Sequence, residues 1–133
     1  MATIIDKPQI THAAGNKPKE IQEYFGRVRS KTEEVSIAKM KSPTGWEEPG
    51  QRPEFNEYTV VLKGILCVKT KQSLFRIQAG QAIMVEKGEW VQYSTPYEGG
   101  AEYVAVCSPA FSPETVHRDS LGFKRDPSSA RRT

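Results

Sequence analysis

Histidine is almost missing from this chain: His12 and His117 are the only two in 133 residues. Three imidazoles therefore cannot meet in one copy, which excludes a metal centre built on a histidine triad. Cysteine is equally scarce. Cys67 and Cys107 lie in apolar, strand-like runs with no CxxC spacing, so they read as buried thiols rather than a disulfide or a zinc site, and they suit a reducing compartment. Long apolar runs are absent too. No stretch approaches the roughly 20 residues of a membrane span, and the apolar part of MATIIDKPQ is too short for a signal peptide. The expectation is a soluble, cytoplasmic protein with no membrane partner. Finally, the body lacks excess charge. From Arg118 onward five basic residues face two acidic ones, which accounts for the whole net charge of +3. A formally neutral body has no basic face for a phosphate backbone, so no nucleic-acid partner is expected. The closing SSARRT reads as a solvated, flexible tail.

What is present fits one domain with its own core, since 37% of the residues are apolar. Residues 1–32 read as an N-terminal arm packed on the body or on a partner, with a short strand over Thr3–Ile5. Lys19–Phe25 is compatible with helical turns or with a strand end. From Glu33 to Lys41 the chain alternates, with Val35, Ile37 and Lys39 on one face and Ser36, Ala38 and Met40 on the other. The face of small residues suggests close packing or a pocket wall. Strands then follow at Phe55–Lys63, Ile65–Thr70, Leu74–Ile77, Gln81–Val85, Trp90–Ser94 and Ala101–Cys107, separated by turn residues such as Gly64, Gly80 and Gly88. Short strands every eight to ten residues predict an all-β, antiparallel sandwich or barrel. After Cys107, SPAFSPETVHRD carries two prolines, which fits a segment crossing the surface or a barrel mouth.

Two glycine-framed stretches organise this pattern. Gly45, Glu57 and Gly64 stand where the first motif of small cupins, Gly-x5-His-x-His-x3or4-Glu-x6-Gly, has its frame. Gly80 and Gly88 match the frame of the second, Gly-x5-Pro-x-Gly-x2-His. The chain thus resembles single-domain cupins of the RmlC-like superfamily, which implies a jelly-roll β-barrel over 33–119 and a homodimer formed through N-terminal strands. The metal ligands do not carry over. Depending on the spacer, the first motif's histidine positions hold Gln51 and Pro53 or Gly50 and Arg52; the second motif's histidine position holds Val91 and its proline position Glu86, and only Glu57 remains. Pro53 and Val91 cannot donate to a metal, so no metal and no other cofactor is expected. FSPETVHRD resembles the close of the ectoine synthase branch of cupins, which implies a lid carrying His117.

With Glu57 facing inward, alternation places Phe55, Thr59 and Val61 on the same face and Tyr58 and Val60 outside; Ile83, Val85, Val91 and Tyr93 join the interior from the second hairpin. A carboxylate in such a pocket loses hydration, its pKa rises, and it becomes a candidate acid or base near neutral pH. Glu57 is the candidate catalytic residue, with His117 or Tyr93 as partner. Trp46, Glu48, Gln51, Arg52, Glu54, Phe55, Ile83, Val91 and Cys107 are the candidate ligand contacts. Three readings stay open. One is a metal-independent isomerase or lyase acting on a polar metabolite, and another a non-catalytic ligand-binding or sensor protein. The third is an enzyme with an oxygen-rich metal site on Glu57, Glu54, Gln51 and His117, drawing on a carboxylate cluster that also includes Glu47 and Glu48.

Overall fold

The computed structural model describes residues 1–13 and 15–119, so the predicted basic tail from residue 120 lies outside the described residues. Nine strands build the fold: β1 Gln9–His12, β2 Glu20–Phe25, β3 Ser36–Ser42, β4 Trp46–Glu47, β5 Asn56–Thr70, β6 Leu74–Gln78, β7 Ala82–Val85, β8 Val91–Thr95 and β9 Ala101–Ser108. One helical turn, α1, spans Pro113–Val116. Every pairing between strands is antiparallel. One sheet has the order β1-β2-β3-β9-β5-β7 and the other the order β6-β5-β8-β4, with β5 belonging to both. This is the antiparallel all-β architecture that the strand rhythm predicts, in the jelly-roll form that the cupin resemblance implies.

The shared strand corrects one expectation. Gly64 is not a turn between two strands but a bend inside the 15-residue β5. Its φ of 77° is open to glycine at little cost, and a Cβ there would lie 2.1 Å from the Gly100 carbonyl oxygen. Before the bend β5 pairs with β7 and β9, and after it with β6 and β8. The ambiguous Lys19–Phe25 stretch resolves as β2, hydrogen-bonded to β3, and the N-terminal strand forms at Gln9–His12 rather than Thr3–Ile5. All four residues of β1 are exposed on the sheet's outer edge.

Period-two alternation sorts β5 as expected: Thr59 and Val61 are buried, whereas Tyr58, Val60 and Leu62 are exposed. Trp46, Val61, Leu66, Val68, Ile77, Val85, Val91, Tyr93, Ala101 and Tyr103 form the core between the sheets. A smaller cluster of Phe55, Cys107 and Val116, with Phe111 against it, closes one end. The segment after β9 runs through a cis Ser108–Pro109 bond into α1, which Ser112 caps by accepting from the Glu114 N–H. It is tied down by main-chain bonds from Arg52 N to His117 O (3.1 Å), from Glu54 N to Thr115 O (2.9 Å) and from Asp119 N to Gly50 O (2.7 Å). No helix among the described residues is long and apolar enough to cross a membrane.

Candidate functional site

Between the inner face of the first sheet and the loop after β4 lies a cavity of about 80 Å³. The small-residue face of β3 forms one wall through Ser36, Ala38 and Met40. Beside it β2 contributes Lys19, just before its first residue, together with Ile21 and Glu23. β9 supplies Tyr103, Ala105 and Cys107, β5 supplies Glu57, and β8 supplies Tyr93. Glu48, Gln51 and Phe55 come from the loop, and Phe111 and Arg118 from the closing segment.

The charged groups inside are few and close. Lys19 is 6% exposed, with its ammonium 4.2 Å from the centre of the Trp46 ring and 5.4 Å from that of Tyr103. Burial works against this cation, but Tyr103, Glu48 and Glu57 outweigh it and raise its pKa above the ordinary lysine value. Burial pushes the Glu48 carboxyl up to about 7, reinforced by Glu57 and opposed by Lys19 and Arg118. Burial also raises Glu57, held back by Lys19 and by a hydrogen bond from Tyr93 Oη to Glu57 Oε1 at 3.3 Å. Part of the Glu57 surface is open to the cavity, yet protein surrounds the carboxyl, and that enclosure is what disfavours its charge. The Tyr93 hydroxyl and the Cys107 thiol are pushed well above their usual ranges, chiefly by burial and then by the charge of Glu57. Both therefore stay protonated at neutral pH, and Cys107 is a wall rather than a nucleophile.

Among the described residues, three buried side-chain polar atoms have no hydrogen-bond partner: Glu48 Oε2, Gln51 Oε1 and Arg118 Nε. All three residues line this one cavity. Buried polar groups in native proteins are almost always paired, so three unpaired atoms around one cavity mark it as built to receive polar matter. Gln51 is positioned by two main-chain bonds with Val91, each 2.9 Å, and by a bridge to Arg118. The positions where cupin motifs place histidines are thus brought face to face, but Gln51 opens on the cavity while Val91 is fully buried in the core.

Of the residues singled out from sequence, Glu57, Tyr93, Glu48, Gln51, Phe55 and Cys107 line the cavity. The others lie elsewhere. Trp46 is completely buried in the core, below Lys19, with Val91 and the partly buried Ile83. Arg52 is exposed and donates through Nη1 to the Gly88 carbonyl at 3.2 Å. His117 Nε2 lies 2.5 Å from Glu54 Oε2, with the two side chains 51% and 60% exposed. That pair locks the closing segment to the loop on the outside. Glu47 and Glu54 are exposed, which splits the carboxylate cluster and leaves Glu48 and Glu57 inside. Lys19, Glu23 and Arg118 are the charged residues on the wall that sequence reasoning passed over.

The residues present do not fit a transition metal. No group of three His, Cys, Asp or Glu among the described residues is placed to hold one. The cation facing Glu48 and Glu57 is instead the Lys19 ammonium, fixed at the end of β2.

The raised Glu48 carboxyl ties stability to pH. The unfolded chain loses this proton near 4.5 and the folded chain only near 7, so stability is fully present below the lower value and lost as pH rises through the higher one. Glu57 is shifted in the same direction. Urea unfolding should show a loss of roughly 3 kcal/mol from about pH 5 to pH 8. Glu48→Gln should flatten most of that slope; an unchanged slope in the variant would place the pH dependence elsewhere.

No family model matches the sequence. An endoribonuclease YbeY of Myxococcus xanthus is 40% identical over 102 residues, a match covering 77% of this chain and 35% of that protein. The chain therefore spans about a third of the curated relative it matches. Among solved structures, the polyketide cyclase RemF of Streptomyces resistomycificus superposes with a TM-score of 0.69 at 16% identity, covering 96% of this chain and 89% of that one. An RmlC-like cupin of Shewanella frigidimarina superposes with a TM-score of 0.67 at 17% identity, covering 85% and 94%. These likenesses show the small-cupin jelly-roll fold, as the glycine frame implies.

Proposed function

We propose that this small-cupin jelly roll binds a polar metabolite in the cavity and moves a proton on it without a metal, with Glu57 as the acid or base. The observation that carries this reading is the enclosure of Glu57, Glu48, Lys19 and Tyr93 in one cavity, with Glu48 poised near neutrality. In its ionised form Glu57 takes a proton from a carbon next to a carbonyl. The negative charge that develops on the carbonyl oxygen is met by the fixed Lys19 ammonium, in a site where few waters compete. Neutral Glu48 then returns a proton, either to the neighbouring atom of an isomerising substrate or to a departing hydroxyl. The class is isomerase or lyase.

Small carbonyl and hydroxy compounds incubated with the protein in D2O test this. At least one class should gain deuterium, and Glu57→Gln should slow its exchange by about 10²-fold or more. Equal exchange in both proteins would remove Glu57 from the chemistry. A compound that raises the melting temperature but never exchanges would favour the ligand-binding or sensor reading. A second reading has one observation in its favour, the 40% identity to part of a protein named as an endoribonuclease. We take that match as homology of this domain rather than of a nuclease activity, because the body is formally neutral and the cavity is small. Labelled single-stranded RNA in the same assay should remain intact, and cleavage abolished by Glu57→Gln would overturn this view.

We further propose a homodimer formed through the N-terminal strands, supported by the wholly exposed edge strand β1, which presents unpaired main-chain groups. Light scattering should return twice the 14.9 kDa chain mass; a monomer mass at micromolar concentration would remove the dimer. Function in the cytoplasm fits the two free, buried thiols.

A further inference from the structure

The unpaired atoms around the cavity specify more than polarity. Arg118 Nε can only donate, Gln51 Oε1 can only accept, and Glu48 Oε2 accepts whenever its carboxyl is ionised. Glu48 and Gln51 are 6% and 4% exposed, so water outside the protein does not satisfy them. A molecule that pairs all three presents an acceptor to the arginine, a donor to the amide and, to Glu48, a donor or, when that carboxyl is neutral, an acceptor. These partners are held together, because the bridge between Gln51 and Arg118 sets the two residues side by side. An occupant with acceptor and donor on neighbouring atoms fits that side-by-side placement.

Charge selects the acceptor. The cavity wall carries two cations, Lys19 and Arg118, and burial favours the protonated forms of Glu48 and Glu57. Glu23, the remaining acid on the wall, is already engaged, accepting from the main-chain N–H groups of Val28 and Arg29 at 3.2 and 3.0 Å. A guanidinium pairs best with a carboxylate, and the face of Phe111, 5.8 Å from Arg118 Cζ, steadies its plane. Size narrows the rest. A cavity of about 80 Å³ takes a handful of heavy atoms, with Ala38, Met40, Phe55 and Ala105 leaving room for a short apolar end.

Building on the reading of the cavity as a metabolite site, we infer that its occupant is a short 2-hydroxy carboxylate of roughly three or four carbons. Its carboxylate lies on Arg118, and its hydroxyl donates its one proton to Gln51 Oε1 and accepts from the neutral Glu48 carboxyl.

Calorimetric titration with lactate, propionate and propane-1,2-diol tests this class, because the second lacks the hydroxyl and the third the carboxylate. Lactate should bind at millimolar concentration or better, and both analogues at least about tenfold more weakly. Arg118→Gln should weaken lactate by about tenfold or more while leaving the diol unchanged. Gln51→Met should bring lactate down toward propionate, with the melting temperature recorded to show that each variant is folded. No binding of lactate, equal binding of lactate and propionate, or an unaffected Arg118→Gln would overturn the assignment. The two levels separate cleanly. Deuterium exchange on another compound class that depends on Glu57, with lactate unbound, sinks the ligand class alone. Lactate binding with Glu57-independent exchange sinks the proton-transfer reading alone.

Discussion

Lys19→Met should destabilise the protein by about 3–5 kcal/mol at pH 8 and by much less at pH 5. Methionine keeps most of the stem length against Trp46 and Tyr103, so packing changes little and the missing charge dominates. At the higher pH, Glu48 and Glu57 are left facing each other in a low-dielectric cavity with their central cation gone. They respond by holding their protons more tightly, which steepens the fall of stability with pH. At the lower pH Glu48 is already neutral, and Glu57 is shifted in the same direction, so the ammonium of the wild type has less partner charge to lose. Urea unfolding at the two pH values reads the difference directly. An equal loss at both would mean that the lysine matters through packing alone, and the electrostatic picture of the cavity would fail with it.

The second large effect concerns Gly64→Ala, which should cost more than about 4 kcal/mol, beyond the range of most single substitutions. Part of the cost is the left-handed backbone at φ 77°, about 1–2 kcal/mol for an L-residue. The rest is contact, since the new methyl would sit 2.1 Å from Gly100 O. Gly100 cannot retreat, because a Cβ built on it would already lie 2.0 Å from Ser42 O, so three main chains are stacked here without slack. Gly80→Ala is the matched control. Its φ is 89°, but nothing lies within 4 Å of the added methyl, so only the backbone cost remains. Thermal unfolding should separate the two variants widely. Similar losses would show that conformation, not close approach, decides at Gly64.

Some of the site could be read in the chain and some could not, according to whether its signal is local. Glu57 was legible because its spacing to Gly64 matches a motif frame and the strand around it alternates cleanly. Ser36, Ala38 and Met40 were legible for the second of those reasons. Lys19 was missed because lysine is ordinarily solvated and because Lys19–Phe25 fits helix and strand equally well. Taken as a strand, the same stretch puts Lys19, Ile21 and Glu23 on one face, and all three line the cavity. At the other end the resemblance of FSPETVHRD to a cupin lid points to His117 and not to Arg118. The bridge from Arg118 to Gln51 turns the arginine inward, and its neighbour pairs with Glu54 outside. That bridge joins residues 67 positions apart in the chain, a long-range pairing that local periodicity does not report. The fold itself was more accessible, because turn glycines and two-residue alternation are local signals. The exception is Gly64, where a strand passing from one sheet to the other looks in sequence like two strands and a turn.

Because β5 is a member of both sheets, the two layers cannot slide or open against each other without breaking its ladders on four partners. Its amides should be the last in the molecule to exchange with solvent, opening only on global unfolding, whereas those of β1 should exchange through local fraying. Glu57 rides on that slow-exchanging segment. Its carboxyl is thus held by the part of the molecule that moves least, and the fold gives this acid a fixed address before any ligand arrives.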